Sequence, residues 1–253
     1  MKKIMIALLL LANVGPAFAQ AKKRVLVFTR VQGYYHESIP SGVKAIMELG
    51  AKNNFAVDMT QDSTYFVDAN LKKYAAIIFC NTSGRNLFTK DQQAAIKRYI
   101  QAGGGYMGIH CAGCNYANLK PGEVDWPWYH QLVGATFTEH PNPQTAQFDI
   151  MDASNAATAH LPVRWTWHEE LYNFKDIQPD IKVILKVDET TYKGGKLGAN
   201  HPMAWYHEFD GGRAFYTALG HFADAYSKPE YMKHLLGGIQ YAMGNNVVLK
   251  YKK

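Results

Sequence analysis

Short apolar runs alternate with stretches of helical period through the first 110 residues. Residues 24–29 (Arg-Val-Leu-Val-Phe-Thr) and 75–80 (Ala-Ala-Ile-Ile-Phe-Cys) show no polar alternation, which predicts strands buried on both faces. Residues 55–59 and 106–109 are two further short strand candidates. Between them, Val43, Ile46 and Met47 share a helical face behind Ser38 and Pro40. Thr89 and Gln92 have capping-box spacing; the helix behind them carries Ile96, Tyr99 and Ile100 and stops at Gly103-Gly104-Gly105. Strands alternating with helices imply parallel strands joined by crossovers. The expected fold is α/β, with three layers: a mostly parallel open sheet and helices on both faces.

After Thr145 the texture changes. Ala146, Phe148 and Ile150 alternate with polar residues, as in a strand with one wet face. Residues 182–187, 202–209 and 213–219 are further strand candidates, and Tyr231, Leu235, Leu236 and Ile239 mark a final amphipathic helix. No repeat or linker divides the chain, so residues 22–248 read as one domain.

Residues 1–19 read as a secretory signal. Lys2 and Lys3 precede an apolar run at 4–14, Pro16 breaks it, and Ala17-Phe18-Ala19 offers a small-x-small cleavage site. The run is too short to cross a bilayer, which takes about 20 residues. The expected location is the periplasm, with no integral membrane segment after cleavage. The 27 basic and 21 acidic residues give +6, and loss of Lys2 and Lys3 lowers this to +4. The excess is scattered, with no basic stripe interleaved with aromatics, so nucleic acid is not an expected partner. A chain 47% hydrophobic and 19% charged is not disordered, and three Cys are no disulfide scaffold.

In open α/β sheets, ligands bind beyond the carboxyl ends of the strands. Three strand ends carry chemistry: Gly33-Tyr34-Tyr35-His36, Asn81-Thr82-Ser83-Gly84 and His110-Cys111-Ala112-Gly113. The last runs from a strand into a small-residue turn, the setting of a nucleophile elbow. Cys111 and Cys114 form a C-x-x-C, read as a structural or incidental pair. Of ten His, five fall at strand ends or in loops: His36, His110, His140, His201 and His221, with Glu169-Glu170 in a similar break. Imidazoles with a carboxylate suit either a transition metal or a general base, and their spacing does not choose. Trp126, Trp128 and Tyr129 suit sugar stacking or packing, and Trp165 and Trp167 suit packing.

These pieces together resemble the trehalose-utilisation (ThuA-like) family, whose fold is class I glutamine amidotransferase-like, or flavodoxin-like. The matching segments are Gly33-Tyr34-Tyr35-His36-Glu37-Ser38-Ile39, residues 103–110, Trp126-Pro127-Trp128-Tyr129 with Leu132-Val133-Gly134-Ala135, Phe137 through His140-Pro141, Glu170-Leu171-Tyr172-Asn173-Phe174, His201-Pro202, Ala204-Trp205, and residues 212–221 ending in Leu219-Gly220-His221. The family has His where the amidotransferases have their elbow Cys, which matches His110 and leaves Cys111 one position late. It commonly has Arg just before the first-strand His, where this chain has Tyr35.

The resemblance implies carbohydrate metabolism, with a small-molecule sugar as partner: trehalose, another disaccharide or a 3-keto-glycoside. On that reading His110, His36 and Glu170 are the catalytic candidates. Trp128, Tyr129, Trp205 and Tyr172 line the sugar, and His140, His201 and His221 are candidate ligands of a divalent transition metal such as zinc. A non-catalytic sugar-binding module is the alternative. A Cys111-dependent amidotransferase-like hydrolase using His207-Glu208 is the third reading.

Overall fold

The computed structural model describes residues 22–123, 125–245 and 248–251; the expected signal at 1–19 lies outside the described residues. The first half of the chain runs β1 (Lys23–Phe28), α1 (Ile39–Lys52), β2 (Phe55–Thr60), α2 (Asp68–Leu71), β3 (Ala76–Cys80), α3 (Lys90–Gln101) and β4 (Gly105–Ile109). The second half begins with α4 (Pro127–Val133), β5 (Thr136–Glu139), β6 (Gln144–Ile150), β7 (Arg164–Glu169) and β8 (Asn173–Lys175). It ends with β9 (Lys182–Val187), β10 (Pro202–Phe209), β11 (Gly212–Thr217) and α5 (Pro229–Met243).

Nine strands form one sheet in the order β2-β1-β3-β4-β11-β10-β9-β6-β7. The first five are mutually parallel. The last four extend the sheet antiparallel, where the sequence turns to alternation. Every residue of β3 and β4 is buried, because helices cover both faces of the parallel block. β7 instead exposes Arg164, Thr166 and His168 and buries Trp165 and Trp167 between them. The fold is α/β, as the alternation of runs implies.

α1 and α5 pack together on one face, with α5 against β3, β4 and β11. A Cβ at Gly105 would overlap the Ala242 carbonyl oxygen, so the bare backbone lets α5 lie directly on β4. On the other face, Tyr129 of α4 stacks on Phe79 and shares a 2.9 Å hydroxyl contact with Tyr106. The capping box at Thr89 is formed in both directions and starts α3. The aromatic segment around Trp126, to which the sequence pattern assigns no element, starts a helix. Pro127 occupies the first turn, where its missing N–H costs nothing, and Gly134 ends the helix at φ 98°. Among the described residues no helix is long and apolar enough to cross a membrane.

The register Val25–Ala76, Ala76–Gly105, Gly105–Arg213 aligns the parallel strands, so their carboxyl ends share one edge. The loops after β1, β3, β4 and β11 leave from that edge.

Candidate functional site

His110 is the residue at which β4 turns. Its φ is 50°, a strained value for a residue with a Cβ. Two bonds hold it: the Tyr216 hydroxyl donates to the His110 carbonyl at 2.7 Å, and His110 Nδ1 donates to the Ala218 carbonyl at 2.7 Å. The ring is fully buried, with Nε2 2.8 Å from the Tyr172 hydroxyl.

Asn81 ties the other strand ends to this turn. It too has positive φ, 51°. Its Nδ2 donates to Ser38 Oγ at 3.1 Å and to the Gly220 carbonyl at 3.2 Å. Its Oδ1 accepts from the Cys111 amide at 3.4 Å. One buried amide therefore links the loops after β1, β4 and β11 to the end of β3, and fixes His36, His110 and His221 relative to one another.

The three imidazoles form a triangle. Ring centres lie 4.8 Å apart for His36–His110 and 5.3 Å for both pairs with His221, with planes at 68–87°. Glu170, just past β7, completes the set. Its Oε2 is 3.3 Å from His110 Nε2, 3.1 Å from His221 Nδ1 and 3.7 Å from His140 Nε2. One ligating atom from each of His36, His110, Glu170 and His221 falls within 4.8 Å of all the others. Such a donor set can hold a metal ion.

The electrostatics follow from this crowding. Burial, and then the neighbouring His110 and His221, push the His36 pKa down to about 3, so it stays neutral. Burial works against the Glu170 charge, but the imidazoles of His110 and His221 hold its carboxyl well below the usual range. Burial likewise opposes charge on His221, and Glu170 outweighs it, raising the pKa. Glu169 next door is fully buried, which pushes its carboxyl up. It accepts the amides of Gly220 at 2.8 Å, His221 at 3.1 Å and Glu170 at 3.0 Å, and so clamps the loop that carries His221.

A cavity of about 800 Å³ opens onto this cluster, with His36 and Glu170 on its surface. One wall is aromatic: Phe137 and Tyr172 are 4.5 Å apart, and His140 stacks on Tyr172 at 5.5 Å. Tyr34, Gln32, Asn86 and Asn118 add a ring and amides from the opposite loops. A second cavity, about 660 Å³, lies at the amino ends of β1 and β2, around Lys23 and Asn53, away from the histidines.

Of the residues singled out by sequence, the structure brings together His36, His110, Glu170 and His221, and sets His140 and Tyr172 beside them. It does not bring in four others. His201 is buried behind the wall, bonded to Glu189 at 2.8 Å and to the Tyr172 carbonyl at 2.7 Å. Trp205 is fully buried, its indole donating to the Val133 carbonyl. Tyr129 sits one layer behind the turn, its hydroxyl donating to the Ala112 carbonyl. Trp128 bonds Asp210 in the β10–β11 turn, at the opposite end of the sheet. None of these reaches the cavity, so the first two cannot ligate or stack there as expected, nor can Tyr129 or Trp128.

Cys111 and Cys114 are free thiols on the cavity wall. His207 pairs with Ala214, well down the strand from the Thr217 end, so no Cys111–His207–Glu208 triad is assembled. Sequence reasoning missed the clamping role of Glu169 and the wall position of Phe137. Glu169 was visible only as half of an acidic pair, and Phe137 only as the start of the family-like segment that runs to His140-Pro141.

The family model described as ThuA, trehalose utilisation, matches residues 24–242. A solved ThuA-like protein from Bacteroides uniformis is 22% identical, covers 90% of this chain and 94% of its own, and superposes with a TM-score of 0.72. One from Parabacteroides merdae is 19% identical, with 90% and 92% coverage and a TM-score of 0.66. A cytoplasmic protein from Salmonella typhimurium is 14% identical, with 86% and 98% coverage and a TM-score of 0.58. At these identities the likeness establishes the fold. No functionally curated protein matches the chain.

Proposed function

Since the chain belongs to the trehalose-utilisation (ThuA) family, we propose that it is a carbohydrate-processing enzyme acting on a disaccharide or its 3-keto form. The observation that carries this is the convergence of three imidazoles and a carboxylate beside a cavity of about 800 Å³, which two of the four, His36 and Glu170, line. The walls suit the same ligand. Aromatic faces stack on the C–H faces of a sugar, and amides pair with its hydroxyls.

A keto-sugar has an acidified C–H beside its carbonyl. Removing that proton needs a base, and the enolate oxygen needs stabilisation. His140 suits the base. Its Nδ1 donates to the Pro141 carbonyl at 2.9 Å, which leaves a lone pair on Nε2 at the cavity rim. The His36, His110, Glu170 and His221 centre is where the substrate oxygen would rest, with the Tyr172 hydroxyl beside it. Fold likeness alone would license none of this.

The chain's export to the periplasm is part of the same proposal, supported by Lys2, Lys3, the apolar run at 4–14 and Ala17-Phe18-Ala19.

The test is incubation of the purified protein with trehalose, 3-keto-trehalose and related glycosides, followed by sugar chromatography. Turnover of a keto-glycoside is expected, reduced about 10²-fold or more in Glu170→Gln. Failure to convert any of them, with or without divalent metal, would overturn the enzymatic reading.

A further inference from the structure

We infer that His36, His110, Glu170 and His221 are the ligands of one divalent transition-metal ion beside the cavity that His36 and Glu170 line. The inference deepens the proposed site, and rests on that site rather than on its substrate. Three imidazoles and one carboxylate form a donor set for zinc, iron, cobalt, nickel or manganese; calcium and magnesium take oxygen.

The geometry separates a metal centre from an ordinary hydrogen-bonded cluster. In such a cluster, buried ring nitrogens find partners. Here His36 Nδ1 and His221 Nδ1 are buried with no hydrogen bond, although Glu170 Oε2 is only 3.1 Å from the latter. His110 has its Nδ1 proton committed to the Ala218 carbonyl, so its Nε2 carries a lone pair toward the centre, where the Tyr172 hydroxyl meets it at 2.8 Å until a metal takes its place. Four loops from distant parts of the chain supply one side chain each, and the three rings stand nearly perpendicular around the common point.

The support around the cluster is also that of a metal site, where outer hydrogen bonds orient the ligands. The Ala218 carbonyl fixes the His110 tautomer. Glu169 grips the amides of Gly220 and of His221 itself. Asn81 braces the loops between them. Tetrahedral ligand atoms about 2.1 Å from a metal stand about 3.4 Å apart, so side-chain rotations of roughly 1 Å close the set from its present 4.8 Å span. His36 and Glu170 face the cavity, so a substrate oxygen would enter from there as a fifth ligand.

The full chain, purified without a histidine tag and stripped with chelator, is titrated with Zn²⁺ by calorimetry and with Co²⁺ by visible absorption. One ion per chain is expected, with affinity falling about 10²-fold in Glu170→Gln and in His221→Ala. His130→Ala and His168→Ala, which alter histidines outside the cluster, should bind like the parent. Circular dichroism establishes that each variant is folded, and the near-isosteric Glu170→Gln serves if the alanine variant is not. Absence of a stoichiometric site, or parental binding in a His36→Ala/His221→Ala double variant, would overturn the inference. Full turnover of a keto-glycoside by protein that takes up no stoichiometric metal would overturn it while sustaining the substrate reading. Stoichiometric metal with no sugar turnover would sustain it and sink that reading alone.

Discussion

His110 Nδ1 and the Ala218 carbonyl oxygen lie 2.7 Å apart. A carbonyl can only accept, so this bond places the ring proton on Nδ1 and leaves Nε2 an unprotonated acceptor, 2.8 Å from the Tyr172 hydroxyl. It also joins the ends of β4 and β11, three residues before His221. The chemistry of the histidine cluster therefore depends on a backbone group that no side-chain pattern reveals.

His110→Asn separates the two halves of that role. Asparagine tolerates φ near 50°, and its amide can still donate toward Ala218. It has no counterpart of Nε2. Stability within about 1.5 kcal/mol of the parent is expected by urea unfolding, with turnover down about 10²-fold to 10⁴-fold. His110→Val puts a β-branched residue at positive φ and should cost more stability than the Asn variant.

Glu169→Gln tests the clamp. The carboxylate accepts three amides through two oxygens, whereas Gln offers one oxygen and adds a donor. A loss of about 1–3 kcal/mol is expected for the backbone groups left unpaired. Hydrogen exchange should quicken at Gly220 and His221. Unchanged exchange there would show that the clamp holds nothing.

Asn81→Ala removes the brace among Ser38, Cys111 and Gly220 and leaves buried polar groups short of partners. A cost of about 2 kcal/mol is expected, or a fall in Tm of roughly 4–8 °C for a chain of this size. A thermal melt of the variant beside the parent reads it directly.

His234 sets a pH dependence outside the cluster. Burial lowers its pKa from 6.5 to about 4, while its Nδ1 donates to the Ala157 carbonyl. Below pH 6.5 the unfolded chain takes up a proton that the folded chain refuses until about pH 4. Stability is therefore intact above 6.5 and falls through that window, by an amount of order 3 kcal/mol. Urea unfolding between pH 7 and pH 4 should show a shallower fall in His234→Gln, and an identical fall would contradict the assignment.

Tyr34→Ala and Trp128→Ala distinguish the cavity from the aromatic segment that the sequence favoured. Tyr34 is two-thirds exposed on the cavity surface, so its loss should raise KM several-fold and leave stability within about 0.5 kcal/mol. Trp128, at the far end of the sheet, should leave KM unchanged.

The parallel half of the fold was legible because β1, β3 and β4 are buried on both faces and read as unbroken apolar runs. The capping box at Thr89 was legible because its contacts are local. His36, His110 and His221 could be singled out because strand ends in such a sheet share one edge. Which aromatics reach the cavity was not legible. Burial of Trp205 and Tyr129 depends on the α4 layer, and α4 went unread because Trp126-Pro127 looks like a loop signal. His201 fell at the right strand end, yet it pairs with Glu189, whose loop has no periodicity to place it. Glu169 and Glu170 are adjacent in sequence and do opposite jobs, since the chain at the end of β7 turns one into the core and the other into the cavity.

The central claim is proton transfer beside a carbonyl at the histidine cluster. Proton NMR of 3-keto-trehalose in D₂O with the protein tests it most directly, because exchange at the carbon beside the carbonyl needs no knowledge of the product. Exchange well above the buffer rate is expected, slowed in His140→Ala and slowed about 10²-fold or more in His110→Asn. Exchange no faster than in buffer, or undiminished in both variants, would contradict the account.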